Sequence, residues 1–306
     1  MAGAQRVFKA RIKSTQSLKK VFRAQELIAA SRIGKARAQS AAALPYSRAL
    51  THAVSAVATH GGRIRHPLVL GRNDTKRAAL LVVTADRGMA GAYSANVIRE
   101  AEAHAAELTE AGKPVDLYVT GRRGEGYYQY RGRTPVGVWT GSSDAPSSDT
   151  AEEIGRTLLD SFAAPAEEGG IGELYVVYTE FVNMVTQRPR IVRLLPLEIV
   201  EAEDDDETPA GPVDESSVPP LYEFEPSEEA VLDELLPRYV RSRIYSILLQ
   251  AAASELAARQ RAMHTATENA EDLIRTYSRL ANQARQGEIT QEISEIVSGA
   301  DALKAS

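Results

Sequence analysis

MHTATENAEDLIRTYSRLANQA, residues 263–284, spaces Met263, Ala266, Ala270, Leu273, Tyr277, Leu280 and Ala284 at steps of three and four. That spacing is the seam of a helix that wraps a partner helix as a coiled coil. Ile289, Ile293, Ile296, Ala300 and Leu303 resume the rhythm after a phase shift near Gly287, which would locally rewind the supercoil. Upstream, the helical pattern begins at Ser227, with Pro237 marking a kink or the first turn of the main helix. A seam needs a partner, and the other end of the chain offers one. From Ala4 to Val57 the sequence is rich in Ala, Arg, Lys, Gln and Ser, with Gly34 its one glycine, so it reads as one long helix. Pro45 is expected to kink or briefly break it. Roughly 50 helical residues extend about 75 Å at ~1.5 Å per residue. Two such helices bury their stripes most simply by packing antiparallel.

Between them the pattern changes. Strand-like Ala79–Val83, Val115–Val119 and Leu174–Thr179 alternate with helical Ser94–Ala111, Arg122–Tyr130 and Thr150–Phe162, and a last strand-like run covers Ile191–Val200. This order predicts a small, mostly parallel sheet. Residues 163–172 and the acidic, Pro-rich 201–220 read as loops. The expected fold is α/β: a long antiparallel coiled coil of the N- and C-terminal helices plus a central Rossmann-like α/β domain. The expected divisions are an N-terminal helix 1–58, an α/β domain 76–200, an acidic segment 201–226 and a C-terminal helix 227–306.

Composition excludes several functions. With no cysteine there is no disulfide, thiolate metal site or thiol nucleophile. The five histidines, His52, His60, His66, His104 and His264, show neither metal-ligand spacing nor a nucleophile partner. A net charge of −5 and the lack of aromatic platforms argue against nucleic acid. The longest apolar run, Ala78–Val83, falls far short of the roughly 20 residues that span a bilayer, so no direct membrane insertion is expected. The basic start has no signal-peptide core. The glycines of 88–91 and 121–126 follow strands but fit no phosphate-loop pattern; they are expected in tight strand-to-helix turns. No catalytic residue, metal or cofactor is assigned.

One segment is specific. Residues 289–300, ITQEISEIVSGA, resemble the C-terminal signature of the gamma subunit of F-type, bacterial ATP synthases. Ala29-Ala30-Ser31-Arg32, Thr84 to Asn96, Leu194-Leu195-Pro196-Leu197 and Ala266-Thr267-Glu268-Asn269-Ala270 match in family order over nearly the whole chain. Ala90 stands where many relatives have cysteine, and Gly287 where many have alanine. The cysteine-bearing regulatory insert of the chloroplast form is lacking. Family-like residues inside the Arg-rich start also disfavour a transit peptide.

The resemblance implies a non-catalytic central-stalk rotor of the proton-translocating synthase. Its shaft would turn inside the alpha and beta ring, its globular end would sit on the c-ring beside epsilon, and delta would be met only indirectly. It would lie peripherally on the cytoplasmic face of the plasma membrane. Carried over residue by residue, Arg285, Gln286 and Thr290 match the family positions that meet the beta catch loop. Ile296, Val297, Ala300 and Leu303 resemble the tip that turns in the apical bearing. By the same resemblance Lys9, Lys13, Lys20 and Arg23, within a run that includes Arg6, Arg11 and Lys19, would face the beta lever loops, and Tyr222, Glu223 and Glu225 would face the c-ring loops. From the residues alone, a Rossmann-like nucleotide-binding enzyme and an unrelated coiled-coil adaptor remain as alternatives.

Overall fold

The computed structural model describes residues 2–60, 66–197, 225 and 227–304. It divides into two compact units, Met1–Ser31 with Arg259–Ser306, and Arg32–Ala258. Helix α1 (Ala2–His60) and helix α6 (Glu228–Lys304) each contribute to both.

In the first unit the helices pair antiparallel. Phe8 stacks on Tyr277 with ring centroids 6.4 Å apart, Lys19 Nζ lies 2.6 Å from Glu271, and Glu26 Oε1 lies 3.1 Å from His264 Nδ1. Rising numbers on α1 thus meet falling numbers on α6. On α1 the row Phe8, Ile12, Thr15, Lys19, Phe22, Glu26 and Ala29 is covered at least in part; on α6 the row Met263, Thr267, Ala270, Ile274, Tyr277, Ala281 and Ala284 is, with Ala266 and Leu280 beside it half-buried. Both rows keep steps of three and four, the pattern of a left-handed coiled coil. The seam positions expected on α6 from Met263 to Ala284 are all at least half-buried except Leu273. Leu273 is 46% exposed, and Ile274 beside it is half-buried; 3.6 residues per turn lets either neighbour face the seam. The expected resumption of the seam past Gly287 is also corrected: Ile289, Ile293, Ile296 and Val297 are all exposed. Every described side chain of α6 from Ile289 to Ser298 is exposed. This stretch, about 15 Å long at ~1.5 Å per residue, packs against no other described helix, and α6 itself continues to Lys304.

The second unit is a five-stranded sheet of order β3-β2-β1-β4-β5. Strands β1 (Ala78–Val83), β2 (Val115–Thr120), β3 (Gly137–Trp139) and β4 (Glu173–Phe181) are parallel, and β5 (Gln187–Leu195) pairs antiparallel to β4. Every residue of β1 is buried, as befits a central parallel strand covered on both faces. On one face Val97 and Ala101 of α3 (Tyr93–Glu110) and Tyr128 of α4 (Arg122–Tyr130) pack on Leu80, Val82 and Val119. On the other, Ile154 and Leu158 of α5 (Ser148–Ala163), Leu236, Val240 and Ile244 of α6, and Val54 and Val57 of α1 cover Leu81, Val83 and Val176. The expected α/β fold is thus present.

Several local expectations change. Pro45 and Pro237 both lie inside continuous helix, and α6 starts nine residues before Pro237. Strand β5 begins at Gln187 rather than Ile191, and residues 163–172 contain a short 3-10 turn, Ala166–Glu168. Nearly all of the acidic segment 201–226 lies outside the described residues.

A short helix, α2 (Pro67–Leu70), is held by His66: Nδ1 accepts from the Leu68 N–H at 3.1 Å, and Nε2 lies 3.1 Å from Asp233 of α6. Burial lowers the His66 pKa, with Asp233 pulling it back in part, and the net direction is down. Protonation also removes the Nδ1 acceptor. A base with a lowered folded pKa contributes stability that is present above its unfolded value, 6.5, and is lost as pH falls below it. The melting temperature is therefore expected to drop between pH 7.5 and pH 5.5, with about 1 kcal/mol at stake in the α2 cap. His66→Gln should shrink that drop measurably by differential scanning fluorimetry; an identical drop in the variant would rule out His66 as the source.

Candidate functional site

The unpaired end of α6 is the surface that most needs a partner. Ile296 is 71% exposed, and Ile289, Ile293 and Val297 are also exposed. Four large aliphatic side chains on 9 residues of one unaccompanied helix are more than solvated helices usually display. Arg285, Gln286 and Thr290 lie at the root of this overhang, all exposed. Arg285 forms no ion pair with another of the described residues. Its planar fork of donors is thus available to a carboxylate. The Thr290 hydroxyl donates to the Gln286 carbonyl at 2.9 Å, which leaves its oxygen as an acceptor. Ala300 and Leu303 fall within the helix, but their side chains lie outside the described residues.

On α1, Lys9, Lys13, Lys20 and Arg23 are exposed. Arg23 is partly engaged, at 2.9 Å from Glu26. From the wider basic run, Arg11 lies over the Tyr277 ring, 5.6 Å from its centroid, and Lys19 pairs with Glu271. These two serve the coiled coil. Lys9, Lys13 and Lys20 share a helical stripe with the exposed apolar Val21 and Leu27 close by, a surface fitted to an acidic partner with apolar spots. Glu225 is exposed, while Tyr222 and Glu223 lie outside the described residues.

The carboxyl edge of the parallel strands is where a Rossmann-like enzyme would bind its ligand. A cleft of about 500 Å³ is present there, lined among others by Gly88, Met89, Ser94, Arg99, Arg123 and Tyr127. Arg123 lies across Gly88, so close that a side chain at 88 would displace it. Gly121, at the start of α4, has φ +89 and abuts the backbone of Thr84 and Ala85. Both loops are therefore tight connections, as expected from the sequence. No group of three or more potential metal ligands is found among the described residues.

Two features escaped the sequence reading. Asp86 ties its own loop to the start of α4 and to the loop after β3, and Arg32 of α1 forms an ion pair with Asp144. Arg32 and Asp144 stand 112 positions apart, and nothing in spacing or composition links them.

Comparison with known proteins decides between the readings. The ATP synthase family profile matches residues 4–303. The ATP synthase gamma chain of Beutenbergia cavernae is 67% identical over 306 residues, with all of both chains covered. The chain belongs to the ATP synthase gamma family. The gamma chain of Arthrobacter sp. strain FB24 is 57% identical, covering 99% of this chain and all of that one. Among solved structures, a chain of the Euglena gracilis mitochondrial ATP synthase (OSCP, F1 and c-ring) superposes with a TM-score of 0.66 at 14% identity, covering 100% of this chain and 96% of that one. A chain from the central stalk and c-ring of the Tetrahymena thermophila enzyme gives 0.55 at 18% identity, covering 80% and 99%. As a member of that family the protein is a gamma chain of an ATP synthase. No helix among the described residues is long and apolar enough to cross a membrane.

Proposed function

We propose that this gamma chain is a non-catalytic shaft whose rotation carries energy between a membrane c-ring and the catalytic alpha and beta ring. The observation that carries the reading is the overhang of α6: a helix past its coiled-coil partner, apolar and exposed, with Arg285, Gln286 and Thr290 at its root. Ile296, Val297, Ala300 and Leu303 would turn in an apolar collar. Apolar contact is non-directional, so such a collar holds the tip without favouring one angle. Arg285, Gln286 and Thr290 would engage a beta catch loop. Lys9, Lys13, Lys20 and Arg23 would attract acidic beta lever loops in a salt-sensitive way, and Tyr222, Glu223 and Glu225 would meet polar c-ring loops beside epsilon. Delta would be reached only through other subunits. The working divisions are then the helix 1–58, the α/β domain 76–200, the segment 201–226 and the helix 227–306.

A lopsided shaft presents different contacts to each beta subunit in turn. It can shift each among its conformations only by the difference in contact energy between them. Bond chemistry stays in the ring, and the assembly would sit on the cytoplasmic face of the plasma membrane. Arg285→Ala tests the catch assignment. Loss of a charge-assisted hydrogen bond, about 1.5–3 kcal/mol, should lower ATP turnover of the purified complex by about tenfold or more, or cut its yield comparably. Wild-type turnover together with wild-type yield would remove Arg285 from the contact.

A further inference from the structure

At the carboxyl edge of the sheet one carboxylate ties together three separate connections. Asp86, three residues after β1, accepts from the Arg122 N–H at 3.2 Å, the Gly141 N–H at 2.9 Å and the Ser143 N–H at 2.9 Å. Its own N–H donates to Ser143 Oγ at 2.8 Å. Burial pushes the Asp86 carboxyl up, but the donors from Ser143, Gly141 and Arg122 outweigh it and its pKa lies below the ordinary carboxylate value. Asp86 is thus charged at neutral pH. The next link is Asp144, whose carboxylate pairs with the Arg32 guanidinium on α1. A path of directional contacts therefore runs from the central strand through Asp86, Ser143, Asp144 and Arg32 into the helix.

This path differs in kind from the apolar contacts of α1 in the same unit. Ile33 and Ala36 pack on Ala253, Leu256 and Ala257 of α6, and Val54 and Val57 join the core under the sheet. Apolar contact resists separation, but it is non-directional and yields more readily to sliding. Hydrogen bonds weaken steeply when bent. α6 has directional ties of its own: Tyr93 Oη donates to the Ala251 carbonyl at 3.2 Å, and Ser254 Oγ donates to the Thr179 carbonyl at 3.0 Å.

We propose that Asp86, the Ser143–Asp144 turn and Arg32 form a torque joint that locks α1 against rotation relative to the sheet, so that twist entering the α/β unit is delivered into both helices rather than into α6 alone. Asp86 and Arg32 are positioning residues in this scheme and touch no reacting atom. The inference rests on the rotor reading above.

The test uses the whole complex, its alpha and beta ring fixed to a surface. A bead is attached to a cysteine introduced by Glu110→Cys, an exposed site in a chain with no cysteine of its own. The angular variance of the bead in the stalled complex reports torsional compliance. Arg32→Ala, Asp144→Asn and Asp86→Asn should each raise that variance roughly twofold while complex yield and unloaded ATP hydrolysis stay normal, and Arg32→Ala combined with Asp144→Asn should add little to either alone, as expected for one coupled pair. The reciprocal exchange, Arg32→Asp with Asp144→Arg, should restore stiffness, an outcome that general destabilisation would not produce. If Asp86→Asn does not assemble, the Arg32 and Asp144 variants carry the test. Wild-type variance in all assembled variants, with the bead still turning on ATP, overturns the joint and leaves the rotor reading intact. A wild-type bead that never turns during hydrolysis overturns the rotor reading itself.

Discussion

Removal of the residues after Ile296 is expected to leave the chain folded and assembled but to cut ATP-driven proton pumping per ATP hydrolysed to about a third or less. The reasoning is one of surfaces. Val297 and Ser298 are exposed, as are all the described side chains from Ile289 on, so the described part of the isolated chain loses little packing. In the complex, Val297, Ala300 and Leu303 would sit in the collar, where burial of the two larger side chains is worth about 1.5–3 kcal/mol each. Without that bearing the remaining shaft can tilt, and hydrolysis can proceed without full transfer of rotation. The measurement is proton uptake by membrane vesicles alongside phosphate release. Pumping per ATP at the wild-type level would show that the tip contributes nothing to coupling, whereas loss of the whole complex would make it an assembly element.

Gly121→Ala should be the most damaging single substitution at the sheet's edge. Gly121 has φ +89, a conformation that costs a side-chain-bearing residue about 1–2 kcal/mol. An added Cβ would also press into the Thr84 carbonyl, with the Thr84 carbonyl carbon at 2.6 Å and the Ala85 carbonyl carbon at 2.9 Å. Backbone on backbone cannot swing aside as a flexible side chain can. The Gly121 N–H bond to the Trp139 carbonyl, 2.8 Å, ties β2 to β3 and would be strained as the loop moved. Together these should cost about 4 kcal/mol and lower the melting temperature by about 10 °C, or leave the chain insoluble. Gly126 is the internal control. It lies in α4 with nothing within 4 Å of an added Cβ, so Gly126→Ala should be neutral or stabilise by up to about 1 kcal/mol. Equal melting temperatures for the two variants would contradict this reading of the loop.

The comparison of these two glycines shows what a sequence carries and what it withholds. Both stand in one run, Gly121-Arg122-Arg123-Gly124-Glu125-Gly126, and only the fold reveals which one meets another backbone. Helix α6 was legible because a spacing of three and four persists over many turns, α1 because helix formers fill it with Gly34 its one glycine from Ala4 to Val57, and β1 because Ala78–Val83 is wholly apolar. Strand β3 was not, since Gly137-Val138-Trp139 is too short to show a period and owes its state to pairing with β2. The antiparallel entry of β5 was equally hidden: alternation reports which face a residue takes, not the direction of its neighbour. On α6, Leu273 is exposed and its neighbour Ile274 half-buried, a choice the spacing alone does not make.

The partner surfaces were legible in a different way. Nothing in the spacing of Arg285, Gln286 and Thr290 separates a contact from a solvated helix face; the resemblance of 289–300 to the gamma signature supplied the assignment. The fold adds that Ile289 to Val297 have no coiled-coil partner among the described residues. Asp86 stood inside a quoted family segment without a role, because its partners Gly141 and Ser143 lie more than fifty positions away.

Cross-linking tests most directly whether α1 and α6 turn as one body within a stationary ring. One version of the complex carries Phe8→Cys with Tyr277→Cys, a facing pair across the coiled coil, and is oxidised to join the two helices. The other carries Thr290→Cys alone, bearing a photoactivated group that bonds to the surrounding ring on illumination. ATP turnover should survive the first link nearly unchanged and fall in proportion to the fraction of complexes bonded in the second. Full turnover in complexes bonded through residue 290, or its loss on joining residues 8 and 277, would contradict a shaft that works by turning.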